Sequence, residues 1–161
     1  MRPAQLFISR LDARPVPPSA KDELKEIVAG LSAAPLFSGL SERQVKRVAR
    51  TAKVRDLAPD TVVVRQGEKG IGFYLILSGS VQVRKSGRTI ARLRGGDFFG
   101  ELALFDDRSR SADVVAAEPT RVAVLSRWEF WGFASENPDV LRTILQEMSR
   151  RLLDSAPSPS Q

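Results

Sequence analysis

Within seventeen positions the chain carries Gly96-Asp97-Phe98-Phe99-Gly100-Glu101-Leu102-Ala103-Leu104 and then Arg110-Ser111-Ala112. A turn, a helix start, a carboxylate and an arginine set this close together can hold a small anion. Gly100 lets backbone approach a ligand with no side chain between them. Residues 101 to 104 can open a helical turn whose free N–H groups face an anion. Arg110 can fork onto two phosphate oxygens. Glu101 cannot bind phosphate; it suits a hydroxyl-bearing part of the same ligand, from which it would accept a hydrogen bond.

Taken in order, Phe99-Gly100-Glu101-Leu102-Ala103-Leu104 and Arg110-Ser111-Ala112 resemble the phosphate-binding cassette of cyclic-nucleotide-binding domains. That module is found in the catabolite activator protein, protein kinase A regulatory subunits and cyclic-nucleotide-gated channels. The likeness extends upstream through Arg65-Gln66-Gly67-Glu68-Lys69-Gly70, the run from Phe73 to Val81, and Leu93-Arg94-Gly95-Gly96-Asp97, and covers about residues 35 to 153.

The resemblance implies that Arg110 pairs with the cyclic phosphate and that Glu101 accepts from the ribose 2′-hydroxyl. It implies that Gly100, Leu102 and Ala103 act through backbone or close approach, and that Ala112 lies beneath the ligand. In the family, Ser or Thr at the position of Ser111 permits contact with a guanine amino group, whereas Ala goes with adenine. Ser111 therefore leaves cAMP and cGMP both open, with cAMP favoured. Asp106 and Asp107 stand in the cassette loop, Ser109 replaces a common proline, and Asp113 replaces a Thr, Ser or small residue.

Composition narrows the classes. The chain has 161 residues, no Cys and no His. Disulfides and thiolate chemistry are excluded, and the commonest general base and metal ligand are missing. Asp, Glu or Lys could still act, but no nucleophile–base–orienter set and no metal cluster stands out, so neither an enzyme nor a metal site is expected. Lys plus Arg is 25 against 19 Asp plus Glu, a formal charge of +6. With no long basic run, the reading is a basic surface with the signs interspersed, and no direct DNA binding. No apolar run of membrane-spanning length and no signal peptide is visible, so the expectation is cytoplasmic.

The elements that must position the cassette follow from periodicity. Residues 1–18 hold Pro3, Pro15, Pro17 and Pro18 and read as an extended arm. Residues 19–53 read as two helices. Ser19 caps the first, with Leu24, Ile27, Val28 and Leu31 in one stripe; Ser41 and Gln44 make a capping box on the second, ahead of Val45, Val48 and Ala49.

Residues 54–126, with the cassette at 99–112, read as short strands: Val62–Val64, Phe73–Leu77, Val81–Arg84, Thr89–Leu93, Ala112–Ala117 and Arg121–Leu125. Ser86-Gly87 reads as a hairpin turn, and Gly67, Gly79 and Gly96 as turn residues. Val83, Ile90 and Leu93 are candidates for a pocket wall. Residues 127–154 read as two helices, the first capped by Ser126 with Glu129 completing a box, the second opened by Asn137-Pro138. A Ser/Pro tail fills 155–161.

The expected fold is α+β and mainly β: an antiparallel β-roll or jelly-roll with flanking N-terminal helices and a C-terminal helix pair. The expected function is a cyclic-nucleotide-binding regulatory module whose C-terminal helices shift on binding. Leu145, Met148, Leu152 and Leu153 could cap the base, and the same helix could form a homodimer seam. The family's transcription factors continue into a helix-turn-helix domain; here the output is expected to pass through a protein effector or a dimer. The alternative is a fold that has lost its ligand and serves as an interaction or dimerisation module.

Overall fold

The computed structural model describes residues 19–105 and 109–155, with the backbone alone at Glu101, Leu102, Arg151, Leu152, Asp154 and Ser155. The expected N-terminal arm, Asp106, Asp107 and the end of the C-terminal tail lie outside the described residues.

Small polar residues place the helix starts. Ser19 Oγ accepts the Asp22 amide at 3.2 Å and opens α1, Ala20–Ala33. A 3₁₀ turn at Pro35–Phe37 follows. Ser41 and Gln44 form the reciprocal box at the head of α2, Glu42–Ala49, with bonds of 2.9 and 3.2 Å. Ser126 Oγ accepts the Glu129 amide at the head of α3, Arg127–Glu136. The return half of that box is diverted, because the Glu129 carboxylate meets Lys53 Nζ at 2.8 Å. Pro138, whose missing N–H costs nothing at a first helical position, opens α4, Pro138–Ser155.

Between the helix pairs run eight strands: β1 Lys53–Leu57, β2 Val62–Val64, β3 Gly72–Ser78, β4 Ser80–Lys85, β5 Arg88–Arg94, β6 Phe98–Phe99, β7 Asp113–Ala116 and β8 Thr120–Ser126. They form two antiparallel sheets, in the orders β1-β8-β3-β6 and β2-β7-β4-β5. The six expected strands are all present. β1 and β6 are additions. Ser86 and Gly87 both have positive φ (52° and 79°), the primed turn that matches strand twist in a two-residue hairpin. Gly67, Gly79 and Gly96 also have positive φ.

Strand β3 shows how the layers are built. Its side chains alternate, and both faces are covered. Phe73 and Leu75 join α1, α2, α3 and α4 in one apolar cluster with Phe37, Val48, Phe130 and Ile144. Tyr74 and Ile76 face the second sheet, with Val81, Val114 and Val122. The first sheet is thus sandwiched between the helices and the second sheet. Val83 and Leu93 belong to the inter-sheet core, whereas Ile90 is 58% exposed on the outer face of β5 and lines no pocket wall. Among the described residues, no helix is long and apolar enough to cross a membrane.

Candidate functional site

The second half of the cassette is anchored to the Gly67 loop through backbone first. The Arg110 N–H donates to the Glu68 carbonyl at 2.7 Å, and the Gly67 N–H donates to the Arg110 carbonyl at 2.9 Å. Ser109 pairs with Lys69 in an isolated β-bridge. Asp113 strengthens the same junction, since its carboxylate accepts the Gln66 N–H at 2.5 Å. This departure from the family pattern has a structural use: it pins the strand after Arg110 to the glycine loop before β3.

These anchors aim the Arg110 side chain inward. Its Nη2 donates to the Gly72 carbonyl at 2.7 Å. Its Nε is buried and has no hydrogen-bond partner. Arg121 also has a buried, unpartnered Nε, but its terminal nitrogens pair with Glu23 and Asp56. Among the described residues no carboxylate reaches Arg110. Burial holds its guanidinium below the usual arginine range; the Tyr74 phenol opposes that shift and the neighbouring Arg127 charge adds to it.

Glycines make the room. A methyl group at Gly70 would collide with the Arg110 guanidinium. At Gly100, where φ is +80°, a Cβ would sit 2.6 Å from the Gly72 carbonyl oxygen and 2.7 Å from Arg110 Nη1. Gly100 is therefore required twice, for its left-handed backbone and for the close approach. Phe99, next to it, stacks on Tyr74 with centroids 4.9 Å apart, which fixes the floor under the turn. The 3₁₀ turn Glu101–Leu104 follows, with Ala103 and Leu104 buried. Ser111 is exposed and Ala112 half-buried, one and two residues beyond Arg110. The Glu101 and Leu102 side chains lie outside the described structure.

Two residues of α3 complete the arrangement and were not singled out in the sequence. Arg127 Nε donates to the Ala103 carbonyl at 2.8 Å and Nη2 to the Gly70 carbonyl at 3.0 Å. Its backbone N–H donates to the Ile71 carbonyl at 2.8 Å. Trp131 Nε1 donates to the Leu104 carbonyl at 2.5 Å, and its ring meets Phe105 and Phe130 edge-on. The carbonyls of Gly70, Ile71 and Gly72 are thus all held by Arg127 or Arg110, and the cassette turn is hung from α3. The only sequence signal was an arginine directly after a Ser cap, which any helix start could carry.

A half-buried arginine with a buried, unpartnered Nε in a glycine-lined recess beside a 3₁₀ turn is an anion receptor in form. The comparisons with known proteins agree. The family model for the cyclic nucleotide-binding domain matches residues 54–137. The chain belongs to that family. A cAMP-dependent protein kinase regulatory subunit of Hypocrea atroviridis is 33% identical over 100 residues, 62% of this chain and 22% of that protein. The cGMP-dependent protein kinase egl-4 of Caenorhabditis briggsae is 34% identical over 143 residues, 83% of this chain and 19% of that protein. A crystal structure of a cyclic nucleotide-binding domain from Methylobacillus flagellatus superposes with a TM-score of 0.67 at 30% identity, covering 82% of this chain and 79% of that one. The chain spans about a fifth to a quarter of the length of the regulatory subunits it matches. The expected β-roll with flanking helices is the fold observed.

Proposed function

We propose that this domain is a regulatory module that binds a cyclic nucleotide, cAMP in preference to cGMP, and reports occupancy through α3 and α4. The observation that carries the reading is the buried Arg110 Nε, left without an acceptor inside a recess that Gly70 and Gly100 keep clear. A cyclic phosphate supplies the missing acceptor and a counter-charge together. In this reading Arg110 holds the phosphate, Gly100, Leu102 and Ala103 present backbone, Glu101 accepts from the ribose hydroxyl, and Ser111 and Ala112 border the base. The role is binding rather than catalysis.

The route to an output is physical contact. Phosphate at Arg110 competes with the Gly72 carbonyl for the same donor. Any shift of the cassette turn is felt by Arg127 and Trp131, which grip its carbonyls from α3. The ligand moves that equilibrium only by its differential affinity for the two arrangements. Downstream, α4 presents Leu141, with Leu145 at 48% and Leu153 at 76% exposure, at intervals of four and eight residues that suit a second copy of the chain or a protein effector.

A thermal-shift titration with cAMP, cGMP and 5′-AMP tests the binding. Ligand at 100 times its dissociation constant adds about 2.7 kcal/mol to folded stability, roughly 5–10 °C for a chain of this size. Absence of a shift with every nucleotide at millimolar concentration would end the reading. One observation favours the alternative, a fold that has lost its ligand: Arg110 Nη2 is already satisfied by Gly72. Under that alternative, Arg110→Ala leaves both the nucleotide response and partner binding as they were.

A further inference from the structure

Among the described residues, the apolar cluster between the two sheets has a single polar side-chain atom, the Tyr74 hydroxyl. Tyr74 follows Gly72 by two positions on β3, so the two share a face. Gly72 supplies the carbonyl that Arg110 holds. On the neighbouring strand Tyr74 is registered with Phe99, and the two rings stack with centroids 4.9 Å apart and planes 4° from parallel. The residue after Phe99 is Gly100, whose Cβ would meet Arg110 Nη1 at 2.7 Å. Tyr74 is thus bracketed, on two strands, by the residues that shape the Arg110 recess.

The side chain is 2% exposed. Its hydroxyl makes no hydrogen bond among the described residues, yet it is not sealed off as the Nε atoms of Arg110 and Arg121 are. The little surface that Tyr74 keeps therefore includes its hydroxyl. A buried phenol usually finds a partner, and phenylalanine, as at position 99, would fill the same space without the polar group.

Its charged neighbours cannot supply an acceptor. Arg55 on β1 is registered with Val122, a member of the same cluster, and so projects to the same side of the first sheet. Among the described residues the Arg55 side chain makes no ion pair or hydrogen bond. Burial holds the Tyr74 phenol above its usual range, and the charges of Arg55 and Arg110 work against that shift. Guanidinium groups donate and never accept. The phenolic proton is left without a destination until an anion enters beside Arg110.

We propose that the Tyr74 hydroxyl is a second donor to the phosphate held by Arg110, and that it bonds one of the two exocyclic oxygens, so that the site distinguishes between them. This inference rests on the nucleotide reading of the recess. The test titrates the whole chain and Tyr74→Phe by calorimetry with cAMP and with the two diastereomers of its phosphorothioate, in which sulfur replaces one or the other exocyclic oxygen. The variant keeps the ring stack and removes no bond, so its unliganded melting temperature should match the parent's. Loss of a hydrogen bond to a charged group should weaken cAMP about tenfold. Sulfur is a poor acceptor, so the diastereomer carrying it on the hydroxyl side should lose less than about twofold, while the other loses as much as cAMP. Two outcomes overturn this proposal alone: cAMP bound by Tyr74→Phe as tightly as by the parent, or a loss of the same size for all three ligands, which marks a general effect on the fold. A parent that binds neither cAMP nor cGMP ends the nucleotide reading, and this inference with it, before the variant is measured.

Discussion

Arg110 is charged, half-buried, and among the described residues its side chain is answered by one main-chain oxygen. Charge-assisted hydrogen bonds contribute about 1.5–3 kcal/mol, so Arg110→Ala should weaken cyclic nucleotide binding about 10- to 100-fold by calorimetry. The unliganded melting temperature should move little, since the variant also removes a buried unsatisfied donor. Arg110→Lys should recover only part of the affinity, because an ammonium cannot span two oxygens. Gly100→Ala tests the recess from the other side. Left-handed backbone with a Cβ costs about 1–2 kcal/mol, and the clash with Gly72 adds to it. The expected outcome is a melting temperature lower by several degrees and loss of nucleotide response. A variant that binds normally would show that the recess is not the site.

At the scale of elements, α3 is the part that feels the cassette. In a Trp128→Phe background Trp131 is the sole indole, and nucleotide should change its emission. Adding Arg127→Ala, which removes the side-chain bonds to Ala103 and Gly70 but leaves the Trp131–Leu104 bond, should reduce that change while binding persists in calorimetry. The opposite end of the helix pair is tied down by α2. Gln44 Nε2 donates to Asp139 Oδ2 at 2.7 Å, and Arg47 lies over the Phe133 ring. The Gln44 bond holds the Asp139 carboxyl below its ordinary value of 3.8. A depressed carboxyl stabilises the fold above its unfolded value and loses that effect as pH falls through the folded one. The stability gap between the parent and Asp139→Asn should therefore narrow below about pH 4, as followed by thermal melts.

Much of this layer was legible in the residues: the caps at Ser19 and Ser41, the six apolar strands, the hairpin turn, and a cassette whose glycine and arginine do meet. What escaped has physical reasons. β1 carries Lys53, Arg55 and Asp56 and is mostly exposed, so it offers no apolar alternation. β6 is two residues long and is paired only through the register Tyr74↔Phe99 and Leu75↔Phe98. Glu129 fits a capping box locally but finds Lys53 across the fold. Arg127 acts on Gly70 and Ala103, 57 and 24 positions away, and no local pattern encodes such a reach.

For the whole molecule, the first sheet is the common wall between the inter-sheet core and the helical cluster. The α4 face with Leu145 is the surface through which two copies could meet. If they do, the chain should run as a dimer in light scattering, and Leu145→Glu should return it to a monomer with its nucleotide-induced thermal shift intact. A parent that is monomeric with and without nucleotide would assign the output to another protein instead.

Among the described residues, the hydrogen bond that the Arg110 side chain makes goes to a main-chain oxygen. Point changes cannot delete a peptide carbonyl. The acceptor of the Arg110 bond is therefore fixed by the course of the backbone through Gly70, Ile71 and Gly72, and substitutions among surrounding side chains would alter the strength of that bond without removing the oxygen that receives it.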